Sequence, residues 1–200
     1  KGLINCPIDK KLLRESKEIG VTEYLASKCR IKNNSEVMMI YNKKFSVVPI
    51  TTHLKIRNVA KKINKQTIIK KIETLNKEYK SLFQLKPKIA VLGLNPHNNE
   101  YSKKSEEIRE IIPAVKILKK RGIRINGPFS SDSFFIRDYK KFNVIVGMYH
   151  DQVLTPFKTF FHFDAMNITL GLNYLRVSPD HGPAVLLIGQ NSANSLSLFL

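Results

Sequence analysis

Along this 200-residue chain, short apolar runs alternate with longer stretches in which apolar residues recur every three or four positions. The runs at 2–6, 37–41, 45–50, 88–94, 142–148 and 184–188 have the length and composition of buried strands. Those at 37–41 and 45–50 flank Tyr41-Asn42-Lys43-Lys44, a turn that would join them into a hairpin. Helical spacing covers 22–28, with Thr22 as the expected N-cap, and 54–63. It also covers 67–83, where Ile68, Ile69, Ile72, Leu75, Tyr79 and Leu82 fall on one face behind Thr67 as cap. A last helix is expected over 105–120, with an acidic first turn and Gly122 as its stop. Pro113 lies inside it and predicts a kink. Strands alternating with helices predict an α/β fold, a mostly parallel sheet covered on both faces. No repeat, low-complexity linker or internal domain boundary interrupts the pattern.

In such sheets, ligands gather outside the carboxyl ends of the strands. Three of the five histidines stand just past apolar runs: His53, His97 and His150. Each alone reads first as a capping or packing residue. Together they suit a borderline divalent ion, zinc first, brought together by tertiary folding or by a second subunit. Asp151 and Asp132 could orient an imidazole or bind the ion, although Asp132 also reads as a turn or cap aspartate. Lys158 lies among aromatic residues that would desolvate it, and Arg176 offers a planar fork to a phosphate or carboxylate.

Composition changes this picture little. About 42% of residues are hydrophobic, enough for a core, and no run approaches the ~20 residues that span a bilayer. Cys6 and Cys29 lack metal-type spacing and fit reduced thiols in a cytoplasmic protein. The net charge of +18 suits a polyanion, but the lysines are scattered on wet helix faces without nucleic-acid motifs. We therefore expect a small anionic substrate, no nucleic acid and no membrane partner.

The segments TTHL, GLNPH, SEEIREIIP, NGPFSSDSFF, MYHDQ, NITLGL and SPDHGPA occur in this order. Together they resemble the 4-hydroxythreonine-4-phosphate dehydrogenases of vitamin B6 synthesis, the PdxA family. The resemblance implies a fold of two α/β/α halves like that of isocitrate and isopropylmalate dehydrogenases, with this chain as roughly the C-terminal two thirds. It implies a homodimer with the active site shared between subunits. It implies metal ligation by His53, His97 and His150, one of them from the partner chain. It assigns Thr22, Lys158, Asn167 and Arg176 to the phosphorylated substrate. DHGPA with the later Ala193-Asn194 resembles the superfamily loop around the adenosine of NAD or NADP, implying His181, Gly182, Ala184 and Asn194 for the cofactor. The metal is expected to be zinc, with magnesium and cobalt as alternatives.

The implied reaction oxidises 4-phosphohydroxy-L-threonine at C3, with Asp151 or Lys158 as general base, and then loses carbon dioxide to give 3-amino-2-oxopropyl phosphate. Several positions depart from the family pattern. Val21 stands where the family has histidine, Pro183 where it has threonine, and the NNEYSKK loop lacks glycine. The family's Gly-Asp-Pro-x-Gly-x-Gly segment is missing. Val21 keeps open a sister dehydrogenase acting on threonate or erythronate 4-phosphate. A hydrolase built on the three imidazoles without NAD is the rival from another class.

Overall fold

The computed structural model describes residues 2–8, 20–31, 35–99 and 102–199. Eight strands form one sheet: β1 (Gly2–Ile4), β2 (Val37–Tyr41), β3 (Ser46–Thr51), β4 (Ile89–Leu92), β5 (Ile125–Phe129), β6 (Val144–Tyr149), β7 (Met166–Leu170) and β8 (Leu175–Pro179). Their order across the sheet is β1-β8-β7-β2-β3-β6-β4-β5. Strands β3, β6, β4 and β5 run parallel, and β1 runs parallel to β8. Strand β2 is antiparallel to both β3 and β7, and β7 is antiparallel to β8. The sheet is thus mixed, with its parallel half ending along one edge.

The helices are α1 (Val21–Lys28), α2 (Val59–Lys62), α3 (Lys65–Phe83), α4 (Ile112–Lys120), α5 (Ser131–Arg137) and α6 (His150–Phe161). The pleat sends alternate residues to opposite faces, and both faces are covered. Val48, Ile50, Val91 and Val146 pack with Ile68, Ile72 and Leu75 of α3 and with Leu118 of α4. Val47, Leu92 and Ile145 pack on the other face with Phe134 of α5 and with Val153 and Phe157 of α6. This double burial explains why the central strands read as continuous apolar runs rather than as alternating ones. Gly147 lets α6 sit close, because a Cβ there would press into Val153 and Gln152.

Five expected strands and the 41–44 turn stand where the apolar pattern put them, within two residues at each end. Asn42 builds that turn by accepting from the Lys44 N–H at 2.9 Å. The sixth run, 184–188, is not a strand. It forms a 3-10 turn at Val185–Leu187, and Leu186 is 88% exposed, because no neighbouring strand among the described residues pairs with it. Thr22 and Thr67 are not caps. Gly20 precedes α1, and Asn64 caps α3 by accepting from the Thr67 N–H at 2.9 Å. The expected 105–120 helix is a π-turn at Glu107–Ile111 that runs directly into α4, with Pro113 in the first turn of α4 just after the π-turn. The 54–63 segment is a 3-10 turn followed by the short α2.

Among the described residues, no helix is long and apolar enough to cross a membrane. Both cysteines are unpaired. The lysines are less scattered than expected. Lys44, Lys86, Lys88, Arg124, Lys140 and Lys141 line a shallow cleft of about 290 Å³ around the amino ends of the parallel strands.

Candidate active site

The carboxyl edge of the parallel strands carries the three histidine loops. β3 runs into Thr52 and His53, β6 runs directly into His150 at the start of α6, and β4 runs into the turn that holds His97. The rings of His53 and His150 lie side by side, with centroids 5.8 Å apart. They stand at one end of a cleft of about 520 Å³ on the α6 face of the sheet. Each imidazole has a carboxylate at Nδ1. His150 Nδ1 is 2.6 Å from Asp151 Oδ1, and His53 Nδ1 is 3.3 Å from both oxygens of Glu23. Burial works to raise the Glu23 carboxyl, but hydrogen bonds from His53 and Thr52 and the imidazole's charge hold it at about 2.

The cleft floor is the outer, antiparallel part of the sheet. The register sets Ile40, Asn167 and Ser178 in one row and Met38, Thr169 and Arg176 in the next, all on the same face. Arg176 is buried and donates to Asn5 Oδ1 at 2.7 Å and Thr169 Oγ1 at 3.2 Å, leaving part of its fork uncommitted. Burial lowers its pKa from the ordinary arginine value, against the opposing pull of Tyr174. Asn167 Oδ1 is buried with no protein hydrogen-bond partner. Val21, Thr22, Asp180, His181, Gly182 and Pro183 also line the cleft.

Lys158 and Asp151 open instead onto a neighbouring depression, which shares His150 and Leu154 with the cleft. The aromatic residues do not fully desolvate Lys158, whose side chain stays 32% exposed. It lies over the Phe163 ring and donates to Asp180 Oδ2 at 3.1 Å and to the Asp180 carbonyl at 2.9 Å. The Asp180 side chain is 0% exposed, and its burial raises the carboxyl's pKa against the lowering effect of Lys158.

His97 stands apart from the other two imidazoles. Its side chain is 81% exposed, it does not line the cleft, and its Nδ1 lies 3.9 Å from Asp132 Oδ2. Its turn is held from below by Glu107, which accepts from the backbone N–H groups of Leu94 and Asn95 at 2.8 and 2.7 Å. Asp132 accepts from Ser130 Oγ and the Ser133 N–H, and these bonds lower its pKa. Among the described residues, no three His, Cys, Asp or Glu side chains converge as metal ligands. Of the residues expected for a cofactor, His181 and Gly182 reach the cleft. Ala184 follows on the exposed turn, and Asn194 accepts from the Leu196 N–H outside the cleft.

Sequence reasoning passed over Glu23, Gln152 and Asp180. Glu23 directly follows Thr22, and Gln152 closes MYHDQ. Gln152 Oε1 accepts from the Met148 N–H at 2.6 Å, while its Nε2 donates to the Gly93 carbonyl at 2.6 Å and Ser131 Oγ at 2.7 Å. It therefore ties together the loops of His150, His97 and Asp132.

A family model described as "Pyridoxal phosphate biosynthetic protein PdxA" matches residues 1–200. The chain is 44% identical over 200 residues to a 4-hydroxythreonine-4-phosphate dehydrogenase of Sulfurihydrogenibium sp., covering 98% of this chain and 61% of that protein. The chain thus spans about three fifths of that relative's length. A crystal structure of a 4-hydroxythreonine-4-phosphate dehydrogenase from Klebsiella pneumoniae superposes with a TM-score of 0.82 at 31% identity, covering 98% of this chain and 61% of that one. An isocitrate dehydrogenase from Methylococcus capsulatus superposes at 0.61 and 9% identity, covering 98% of this chain and 64% of that one, a likeness of fold alone.

Proposed function

The chain belongs to the PdxA family, and from that premise we propose that the protein is a dehydrogenase acting on 4-phosphohydroxy-L-threonine in pyridoxal phosphate synthesis. The observation that carries this reading is the His53–His150 pair at the end of a cleft floored by Arg176 and Asn167. The two rings fit a shared divalent ion, zinc first. Each has a carboxylate at Nδ1, leaving Nε2 as the ligand atom. Their 5.8 Å spacing is close to the roughly 5 Å that two imidazoles need at metal–nitrogen distances of about 2 Å.

A bound ion would supply a Lewis acid to the C3 oxygen. Bound NAD or NADP would accept the hydride, and the resulting β-keto acid would lose its carboxylate as carbon dioxide to give 3-amino-2-oxopropyl phosphate. The cofactor fits the far rim, where exposed Val185 and Leu186 follow His181 and Gly182 and offer apolar surface for a flat base. Arg176 grips the substrate phosphate with the free part of its fork. The unpartnered Asn167 Oδ1 supports a polar contact from the same ligand. Thr22, which lines the same cleft, positions the substrate. Asp151 or Lys158, both on α6, takes the hydroxyl proton. The exposure of His97 beside Asp132 supports its service in a second subunit's site, in a cytoplasmic homodimer.

Val21 in the cleft wall supports one second reading, oxidation of threonate or erythronate 4-phosphate. The test is formation of reduced nicotinamide from each phosphorylated substrate, with and without a chelator. Turnover of 4-phosphohydroxythreonine that a chelator abolishes and added zinc restores is the expected result. Turnover of threonate or erythronate phosphate alone selects the second reading. Nicotinamide reduction on none of these substrates overturns both.

A further inference from the structure

We propose that Glu23 is a positioning residue that fixes the tautomer and rotation of His53, so that Nε2 faces the cleft with its lone pair free. The inference rests on the reading of His53 as a cation ligand, but its geometry stands without any ion. Both carboxylate oxygens of Glu23 lie 3.3 Å from His53 Nδ1. One of them also accepts from Oγ1 of Thr52, the residue just before His53. Two neighbouring groups of the loop after β3 thus close on one carboxylate of α1.

The packing around the pair is tight. A Cβ at Gly20, just ahead of α1, would overlap both Glu23 Oε2 and His53 Nδ1. The start of α1 is therefore seated directly on the contact. The two side chains are only 23% and 25% exposed, so water competes weakly for Nδ1. A neutral imidazole whose Nδ1–H donates to a carboxylate has an Nε2 lone pair, whereas one with its proton on Nε2 has none to give there. His150 has the same arrangement with Asp151, but the Asp151 side chain is 79% exposed and holds its ring from solvent. Glu23 is the shielded member of the two.

The test uses Glu23→Gln, which keeps the shape of the side chain, and Gly20→Ala, which displaces the pair without altering either partner. Zinc affinity is measured by competition with a chelating dye. The His53 tautomer is read in the metal-free protein from long-range proton–nitrogen correlations. We expect wild type to show the Nδ1–H form. Both variants should lose that signature and bind zinc about 10–100-fold more weakly. Wild-type tautomer and zinc affinity within twofold in both variants would overturn the proposal. If the wild type takes up no zinc, the cation reading fails. The tautomer comparison then decides the positioning role by itself.

Discussion

Replacing Gln152 with leucine should destabilise the protein by about 2–4 kcal/mol. The side chain makes three bonds, at 2.6 Å from the Met148 N–H, 2.6 Å to the Gly93 carbonyl and 2.7 Å to Ser131 Oγ. Each is worth roughly 1 kcal/mol net, and a buried backbone group left without a partner costs about 1–3 kcal/mol more. Ser131 can turn its hydroxyl elsewhere, so the loss falls mainly on Met148 and Gly93, at the ends of β6 and β4. Gln152→Glu separates donor from acceptor. Its carboxylate still accepts from Met148 but meets the Gly93 carbonyl with an oxygen instead of an N–H. Glutamate should therefore be no better tolerated than leucine, despite its near-identical shape. Urea unfolding of both variants measures this as a shift in midpoint at constant slope. A change below about 0.5 kcal/mol in both would refute the view that Gln152 is the clamp of these loops.

Acid should weaken the protein through Glu23. Its carboxyl, near 2 in the fold against an ordinary 4.5, contributes stability present above pH 4.5 and lost as pH falls toward 2. In Glu23→Gln that part of the acid-unfolding slope should vanish, and an unchanged slope between those limits would count against the pairing. Phe157→Ala should cost about 3–5 kcal/mol, since the ring is fully buried against Phe45 and Phe161, and thermal unfolding would report it. Arg176→Lys should raise KM for the phosphorylated substrate by about 10-fold or more while kcat falls less, because the bonds to Asn5 and Thr169 that aim the fork are lost. A fall in kcat alone would contradict a ground-state grip on the phosphate.

Strands β3, β4 and β6 were legible because their residues are buried almost throughout, one face under α3 and α4 and the other under α5 and α6. The run 88–94 overshot β4 because Gly93 and Leu94 leave the sheet to build the His97 turn. The run 184–188 misled for the opposite reason. Valine and leucine mark a strand only when a neighbouring strand supplies hydrogen bonds, and among the described residues none does. Thr67 misled as a cap because the capping oxygen belongs to Asn64, three residues earlier, and binds the Thr67 backbone rather than its side chain.

Strands β5, β7 and β8 went unread, and two of them floor the cleft. MNITL and LRVSP carry Asn167, Thr169, Arg176 and Ser178 on the face that lines it, while Ile168 and Val177 face the core. A strand that presents polar groups to a ligand on one side gives up the apolar continuity by which buried strands are recognised. The candidate site therefore combines two kinds of position. Histidines beyond the ends of uniformly apolar strands stand out in a sequence, because the change in character is abrupt. Residues on the pleated face of a strand do not: the sequence offers the planar fork of Arg176, but its burial beside Thr169 and its bond to Asn5 come only from the register and the fold. Glu23 belongs to neither kind. Its role comes from α1 being laid against the β3 loop, a contact between positions thirty apart in the chain, which spacing alone does not reveal.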